Sequence, residues 1–519
     1  MSCLHRIVRL GLIHLFFLLS TNTLLSAENG SIQFHVTDLN GNDVPCRIHL
    51  RNASGTPQKA PDLPFWNDHF VCPGRATVHV APGEYHWEIE RGPEHERKSG
   101  TTKVKSDLVA NANVTLSRIA SLRDEGWYSG DLHVHRPVSE IELLMSAEDL
   151  NFSPVIEWWN KPSPNSTAIQ RTEIRFADDR IYCIGAGEDE REGGALLYFG
   201  LKKPLDLSVK SREFPSPLLF VQQARSQNAN VWIDVEKPFW WDVPTWIATA
   251  NPDSIGIAHN HMHRRGVLGN EAWGKARDVK RFVGAKGNAL WTQEIYYHLL
   301  NSGIRIPPSA GSASGVLPNP VGYNRVYVQL ADKPFNRANW FAALKAGRCF
   351  VTNGPLLRAR ASNELPGANF SIGDSLTVDL EIDLASSDTI RELEVIYNGE
   401  VVKRVPCSEQ TEQALKTKFK VTEPGWFLVR AIAEVDHTFR FASTAPWYVD
   451  GNNNQRRVSR ASAQFFLDWI DERIERVNEN VPELNERESV LRWHIKAREF
   501  WTDQLQTANA DRLSSRNES

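Results

Sequence analysis

The residues best placed to do chemistry are two histidines two positions apart, in the run Gly130-Asp131-Leu132-His133-Val134-His135. Extended backbone sends alternate side chains to opposite faces, so His133 and His135 present both imidazoles on one side. Two convergent imidazoles are half of a metal site. Alone the pattern is weak, because most His-x-His pairs in β-rich chains are ordinary polar residues. A second alternating set, His259, His261 and His263, follows the apolar run Ser254–Ala258, and if it stays extended the three share a face. His261 is the first choice there for a further ligand. The competing reading is a solvated polar loop, since Arg264 and Arg265 come next. Glu157 and Glu236 close two other apolar runs and add candidate carboxylate ligands. The pairs Trp158-Trp159 and Trp240-Trp241 flank the same strand ends. Neighbours on a strand point opposite ways, so one indole of each pair belongs to the core and the other is free to stack on a sugar or aromatic ring. For any single one of these tryptophans, core filling is the simpler reading.

The elements that must position these groups alternate between short apolar strands and helical stretches from Trp127 to about Thr352. The pattern predicts strands at Val155–Trp158, Ile181–Gly185, Val231–Val235, Ser254–Ala258 and Arg305–Ile306. It predicts helices at Pro217–Gln227, Trp291–Asn301 and Ala338–Ala346. This is the rhythm of an α/β barrel or layered α/β unit, placed at residues 119–355. The polar clusters fall just after the strands, on the face where α/β barrels assemble active sites. Before it, over 28–118, Ile32, Phe34 and Val36 alternate with polar residues, and Ala81-Pro82-Gly83-Glu84-Tyr85 forms a turn. That is a small β-sandwich, similar in its turn to the carboxypeptidase regulatory-like, immunoglobulin-related modules. Alternation returns over 356–450 in Leu376, Val378, Leu380 and Ile382, giving a second β-sandwich. Helix-period apolar residues at Phe466, Trp469, Ile470 and Val477, a break at Val481-Pro482, then Val490, Trp493, Ala497 and Phe500 predict a helical hairpin over 451–508. The polar residues 509–519 read as a frayed tail.

A chain of 519 residues holds several cores. With 41% hydrophobic residues, 24% charged and a net charge of -4, composition argues against bulk disorder and against a nucleic-acid surface. Arg6 and Arg9 precede the apolar run Leu10–Leu19, and Ser26 and Ala27 follow, which reads as a cleaved export leader over 1–27 and a secreted or periplasmic protein. Leu25 departs from the small-x-small rule, so an uncleaved anchor is the alternative. No later stretch is long and apolar enough to cross a membrane. Losing Cys3 with the leader leaves Cys46, Cys72, Cys183, Cys349 and Cys407, an odd set scattered over several units and no disulfide scaffold. Cys46 and Cys72 fall in one small unit and either pair or stay as buried thiols.

Residues 126–357, with the β region that follows, resemble the carbaryl-hydrolase-like (CehA/McbA) branch of the polymerase-and-histidinol-phosphatase (PHP) superfamily of metallohydrolases. The phrases that carry the resemblance are Gly126-Trp127-Tyr128-Ser129-Gly130-Asp131-Leu132-His133-Val134-His135, Gly187-Glu188, Lys237-Pro238-Phe239-Trp240, Gly311-Ser312 and Gly347-Arg348-Cys349-Phe350-Val351-Thr352-Asn353-Gly354-Pro355. The resemblance implies a distorted α/β barrel that hydrolyses esters, phosphoesters or amides with one to three divalent ions held by His and carboxylates. Only His133, His135 and Glu188 carry over as ligands. Trp158 and Trp159 stand where the family has two ligands, Lys237 stands at a histidine position, and Ala313 and Gly315 replace a late Asp and His. An ammonium at Lys237 replaces a cation's charge without binding one and disfavours a second ion nearby. The expectation is a reduced, mononuclear site for zinc or manganese, with water on the metal as nucleophile and a small-molecule or glycan substrate. Two alternatives stay open. One is a metal-free site built on Lys237 with Glu157, Glu188 and Glu236. The other is a non-catalytic protein that binds glycans or cell-surface polymers through a Trp-lined relic of the site. The sequence does not set the oligomeric state.

Overall fold

The computed structural model describes residues 29–160, 173–207 and 209–510. The leader expected at 1–27 and most of the expected tail lie outside them. The chain is mixed α/β, richer in strand than in helix, and is built on several sheets.

The first segment contributes β1 (Gly30–Thr37), β2 (Cys46–Asn52), β3 (His69–Cys72), β4 (Arg75–Val80), β5 (Gly83–Glu90), β6 (Lys98–Val104) and β7 (Val109–Thr115). They form two sheets, one with β1 at its centre between β4 and β7, the other running β3-β2-β5-β6. Period-two alternation in β4 turns Ala76, Val78 and Val80 inward. There they share one hydrophobic cluster with Ile48, Leu50 and Phe70 of the facing sheet. Cys46 and Cys72 are cross-strand partners in it, free thiols with sulfurs 3.6 Å apart.

The middle of the chain supplies β8 (Trp127–Gly130), β9 (Phe152–Trp159), β10 (Arg180–Arg191), β11 (Gly194–Phe199), β12 (Trp232–Val235), β13 (Ser254–Ala258) and β14 (Pro308–Ala310). These strands are neighbours in the order β14-β13-β12-β11-β10-β9-β8. Pairing is parallel except where β11 runs antiparallel to both its neighbours. The two ends of this series meet. Beyond β8, the amides of Leu132 and His135 donate to the carbonyls of Ala310 and Ser314 at 3.0 and 2.8 Å. On the other side Ile156 donates to Val134 at 2.8 Å. The strand expected at Arg305–Ile306 lies three residues later, because the turn out of the preceding helix runs to Pro307.

The helices of this part are α1 (Ile141–Ala147), α2 (Pro217–Gln227), α3 (Val243–Thr249), α4 (Lys286–Asn301) and α5 (Arg337–Lys345). α2 has the bounds its pattern predicts because both of its start signals are local: Pro217 is preset for the first turn, and the Ser216 hydroxyl accepts from the Leu218 amide.

Two further strands, β15 (Arg325–Gln329) and β16 (Cys349–Thr352), carry the same sheet onward into the last β region. That region comprises β17 (Leu356–Ala361), β18 (Leu376–Ala385), β19 (Glu392–Tyr397), β20 (Glu400–Pro406), β21 (Glu412–Val421), β22 (Gly425–Ile432) and β23 (Phe441–Thr444). β16 pairs with β23, so one 16-stranded sheet crosses the boundary expected at 355. Alternation makes that sheet a shared wall: Val326 and Val328 enter the core of the α/β part, while Tyr327 and Phe350 enter a second core against β17, β18 and β21.

The helices α6 (Arg460–Asn480) and α7 (Leu484–Gln506) pack on each other and insert Phe466, Trp469, Ala497 and Trp501 into the α/β core. The Arg473 guanidinium, almost fully buried, joins Glu213 and Asp242. Asn509 and Ala510 are not frayed: both amides bond the Val458 carbonyl. No helix among the described residues is long and apolar enough to cross a membrane.

Candidate metal centre

Leu132 and Val134 are fully buried in core clusters, and the strand period turns His133 and His135 to the other side. Asp131 holds this segment in place. One oxygen of its buried carboxylate accepts from the amides of His133 and Ser312, both at 3.0 Å, and the other from Gly322 at 2.7 Å. The loop after β14 carries glycines where it passes the two histidines, for a steric reason. A Cβ at Gly311 would stand 2.5 Å from the His133 Cβ, and Gly315, at φ +100°, lies against the His135 carbonyl.

Glu188 comes from β10, paired with Trp159 of β9 across a stretch with two register shifts. Such bulges re-aim side chains at strand ends. The outcome is a compact triangle of ligand atoms. His133 Nε2 is 2.9 Å from His135 Nε2, and the Glu188 Oε2 lies 3.2 Å from the first and 3.1 Å from the second. His133 and Glu188 are buried, and His135 is only slightly more open.

Behind this triangle, Glu236 at the end of β12 places Oε1 3.4 Å from His133 Nδ1. Its other oxygen takes the Lys237 ammonium and, at 3.1 Å, the Trp240 indole N–H. Lys237 is itself buried, 4.4 Å above the Trp240 ring. Burial opposes charge on His133, but the Glu188 and Glu236 carboxylates outweigh it and push the imidazole up to about 10. Burial likewise opposes ionisation of Glu236, and Lys237 and His133 overcome it, drawing it down to about 2. Glu188 is held well below the usual carboxylate range by the two histidines against the same burial.

The donor set fits a divalent ion. Ligands on a four-coordinate ion with bonds of roughly 2.0–2.1 Å stand about 3.3–3.4 Å apart, close to the spacings found. Two facing Nε2 atoms and one carboxylate oxygen satisfy at most two of their three contacts by sharing a proton, whereas one cation satisfies all three. With neutral imidazoles, Glu188, Glu236 and Lys237 sum to one net negative charge. His133 Nδ1 and Glu236 Oε1 lack a well-aligned hydrogen bond, so their contact is an electrostatic backing that orients the ring.

The remaining expected residues divide. Glu236 backs a ligand instead of being one, because its oxygen meets Nδ1, on the far side of the ring. Glu157 is solvent-exposed on β9 and accepts the Gly185 amide, away from the triangle. His261 is buried near Lys237 and Glu236, and burial followed by the lysine's charge pulls it down to about 3, but it lies outside the group of converging ligand atoms. Its ring contacts Phe239 and His259. Of the four tryptophans, Trp158 is buried over Gly187, where a Cβ would collide with the indole. Trp240 and Trp241 are buried as well, the latter against Trp469 of α6. The first pair divides between core and surface as strand alternation predicts, and the correction falls on the second pair, where both Trp240 and Trp241 are core and neither faces a ligand. Trp159 is 40% exposed, with its ring 5.4 Å from that of His135.

Three further groups support the site, and of these only Asp131 stood in one of the sequence motifs, without a role. Asp131 anchors the backbone, and Asp234 accepts from Ser254 and Ser309 below Glu236. Glu190, two residues after Glu188, accepts the Trp159 indole N–H at 3.0 Å, and burial, then the Glu188 charge, raise it to about 7.

A second group, His49, Asp68 and His69, also brings three ligand atoms together. It does not fit a cation. Arg47 Nε donates to His49 Nε2 at 3.0 Å, and a guanidinium only donates, so the neutral ring's proton occupies Nδ1, the atom a metal would need. Arg51 already neutralises Asp68.

Comparison of the chain with protein-family models, with curated proteins and with solved structures finds no match in any of the three.

Proposed function

We propose that this chain is an exported hydrolase of ester or phosphoester bonds, built on a PHP-like distorted α/β barrel between two β-sandwiches, that works with a single divalent ion. The observation that carries the reading is the buried triangle of His133 Nε2, His135 Nε2 and Glu188 Oε2. A zinc or manganese ion held there would polarise the scissile group and lower the pKa of water. The chain's own residues do the rest. Glu236 fixes the His133 ring and raises its basicity. Lys237 neutralises Glu236 and repels a second cation. Trp159 and His135 border the less buried side, so substrate meets an indole face and an imidazole edge there. This favours catalysis over the tryptophan-lined binding reading, which is left with one exposed indole of four.

Elemental analysis of gently purified protein tests the proposal, with an expected content of about one divalent ion per chain. His135→Ala and Glu188→Gln reduce it to near zero and abolish turnover of nitrophenyl ester and phosphoester substrates. Protein that purifies without metal, and whose melting temperature does not respond to added zinc or manganese, would overturn the reading.

A further inference from the structure

A sizeable cavity lies away from the triangle. It measures about 580 Å³ and lies where three distant parts of the chain meet. β2 supplies Arg51, β5 supplies Trp87 and Glu88, the residue before β6 is Arg97, the tight turn after His263 supplies Arg264 and Arg265, and the segment before β23 supplies His437 and Arg440. Its volume falls within the range of small-molecule sites.

Its charge is unbalanced. Counting the partners behind the wall, Arg47, Arg51, Arg97, Arg264, Arg265, Arg325 and Arg440 face Asp68, Glu88, Glu90, Glu148 and Asp388. That is seven cations against five anions, with the acids set behind the guanidinium groups, since Glu88 alone of the five lines the cavity. Arg265 is the least engaged: its side chain is 54% exposed and its closest acid, Asp68, is 3.9 Å away. Arg440 is nearly buried, and its Nε has no hydrogen-bond partner. Burial, then the charge of Arg47, draws Arg264 down to about 9.

One wall is aromatic. Trp87 lies over Gly100, where a Cβ would come within 2.3 Å of the indole, and the Trp87 N–H is tied to Thr102 at 3.0 Å. A fixed indole beside planar guanidinium donors matches a ring with oxyanion substituents, since guanidinium groups bind such oxyanions bidentately and the indole takes the ring face.

We propose that this cavity is a binding site for an acidic sugar, a pyranose ring bearing a sulfate, phosphate or carboxylate group. The site is separate from the metal centre and does not depend on the hydrolase reading. It joins the first β segment to the turn that begins three residues after His261, so an occupant bridges the two parts.

Calorimetric titration of the full chain tests it, with a hexose 6-sulfate, a hexose 6-phosphate, a hexuronate, the unmodified hexose and sodium sulfate as probes. Saturable binding of at least one charged hexose is expected, and the tightest of the three identifies the anion. Arg265→Ala weakens it by roughly tenfold, Arg265→Glu removes it, and both variants keep the parent's metal content and melting profile. Three results would overturn the proposal: no charged hexose binds, the unmodified hexose binds equally well, or sodium sulfate matches the charged hexoses.

Discussion

Lys237 occupies the interior of the site as a buried partner of Glu236, in closer contact with that carboxylate than is its other positive neighbour, the His133 ring at 3.4 Å. Removing one partner of a buried pair leaves an uncompensated charge, at a cost of about 3–5 kcal/mol. Lys237→Met keeps much of the volume and removes the ammonium, so it lowers the melting temperature of the metal-free protein. If the lysine stands in for a cation, added zinc or manganese recovers more of the loss in the variant than it adds to the parent. Thermal melts of both proteins across a metal titration read this directly. Equal shifts in the two would end the charge-replacement argument while leaving the His133, His135 and Glu188 triangle untouched.

At the scale of elements, α6 is held to the α/β part by Arg473, which bonds Glu213 through both terminal nitrogens and Asp242 at 2.7 Å through Nε. Arg473→Met strands two buried carboxylates and costs about 3–5 kcal/mol. Hydrogen exchange in α6 and α7 should accelerate in this variant, and unchanged protection there would mean that Phe466, Trp469 and Trp501 suffice to dock the helices. The pair also sets an acid limit. Burial would raise Asp242, but Arg473 and His494 outweigh it and hold it below the usual range. A depressed carboxylate contributes stability that is fully present above its unfolded value of about 4 and is lost as pH falls through the lower folded value. In Arg473→Met that contribution is gone, so the variant's stability declines less steeply than the parent's below about pH 4.

Across the whole molecule, the sheet that carries the metal centre does not end where the α/β part does. β16 gives one edge to β15 and the other to β23, and Tyr327 and Phe350 pack into the core of the last β region. A chain ending at Pro355 exposes that edge and that face together, a state prone to edge-to-edge association. We expect residues 29–355 to be insoluble or aggregated when produced alone, whereas 29–510 stays soluble. Sedimentation and circular dichroism of the two decide it: a soluble, native-like 29–355 would show that the shared sheet is not a cooperative unit.

The sequence by itself determined what depends on near neighbours. Pro217–Gln227 was legible because its cap, its first-turn proline and its apolar face lie within one window, and Ser254–Ala258 because its run is continuous. The His133 and His135 pair was legible because period-two geometry acts over two residues, and Glu188 could be named only through the resemblance, since nothing local ties it to strands 50 residues away. Tertiary structure decided the rest. Whether Glu236 reaches a metal or the back of an imidazole depends on how β12 lies against the segment after β8, about 100 residues earlier in the chain. Trp240 and Trp241 read like Trp158 and Trp159, yet only Trp159 is left open, because Trp158 lies flat over Gly187 and the other two are covered by long-range contacts, Trp241 by a helix more than 200 residues on. The run of the sheet past residue 355 rests on β16 pairing with β23, some 90 residues later. Propensity and periodicity act over a few residues, but a site drawn from the segment after β8, from β10 and from the end of β12 is assembled by pairings that the local sequence does not encode.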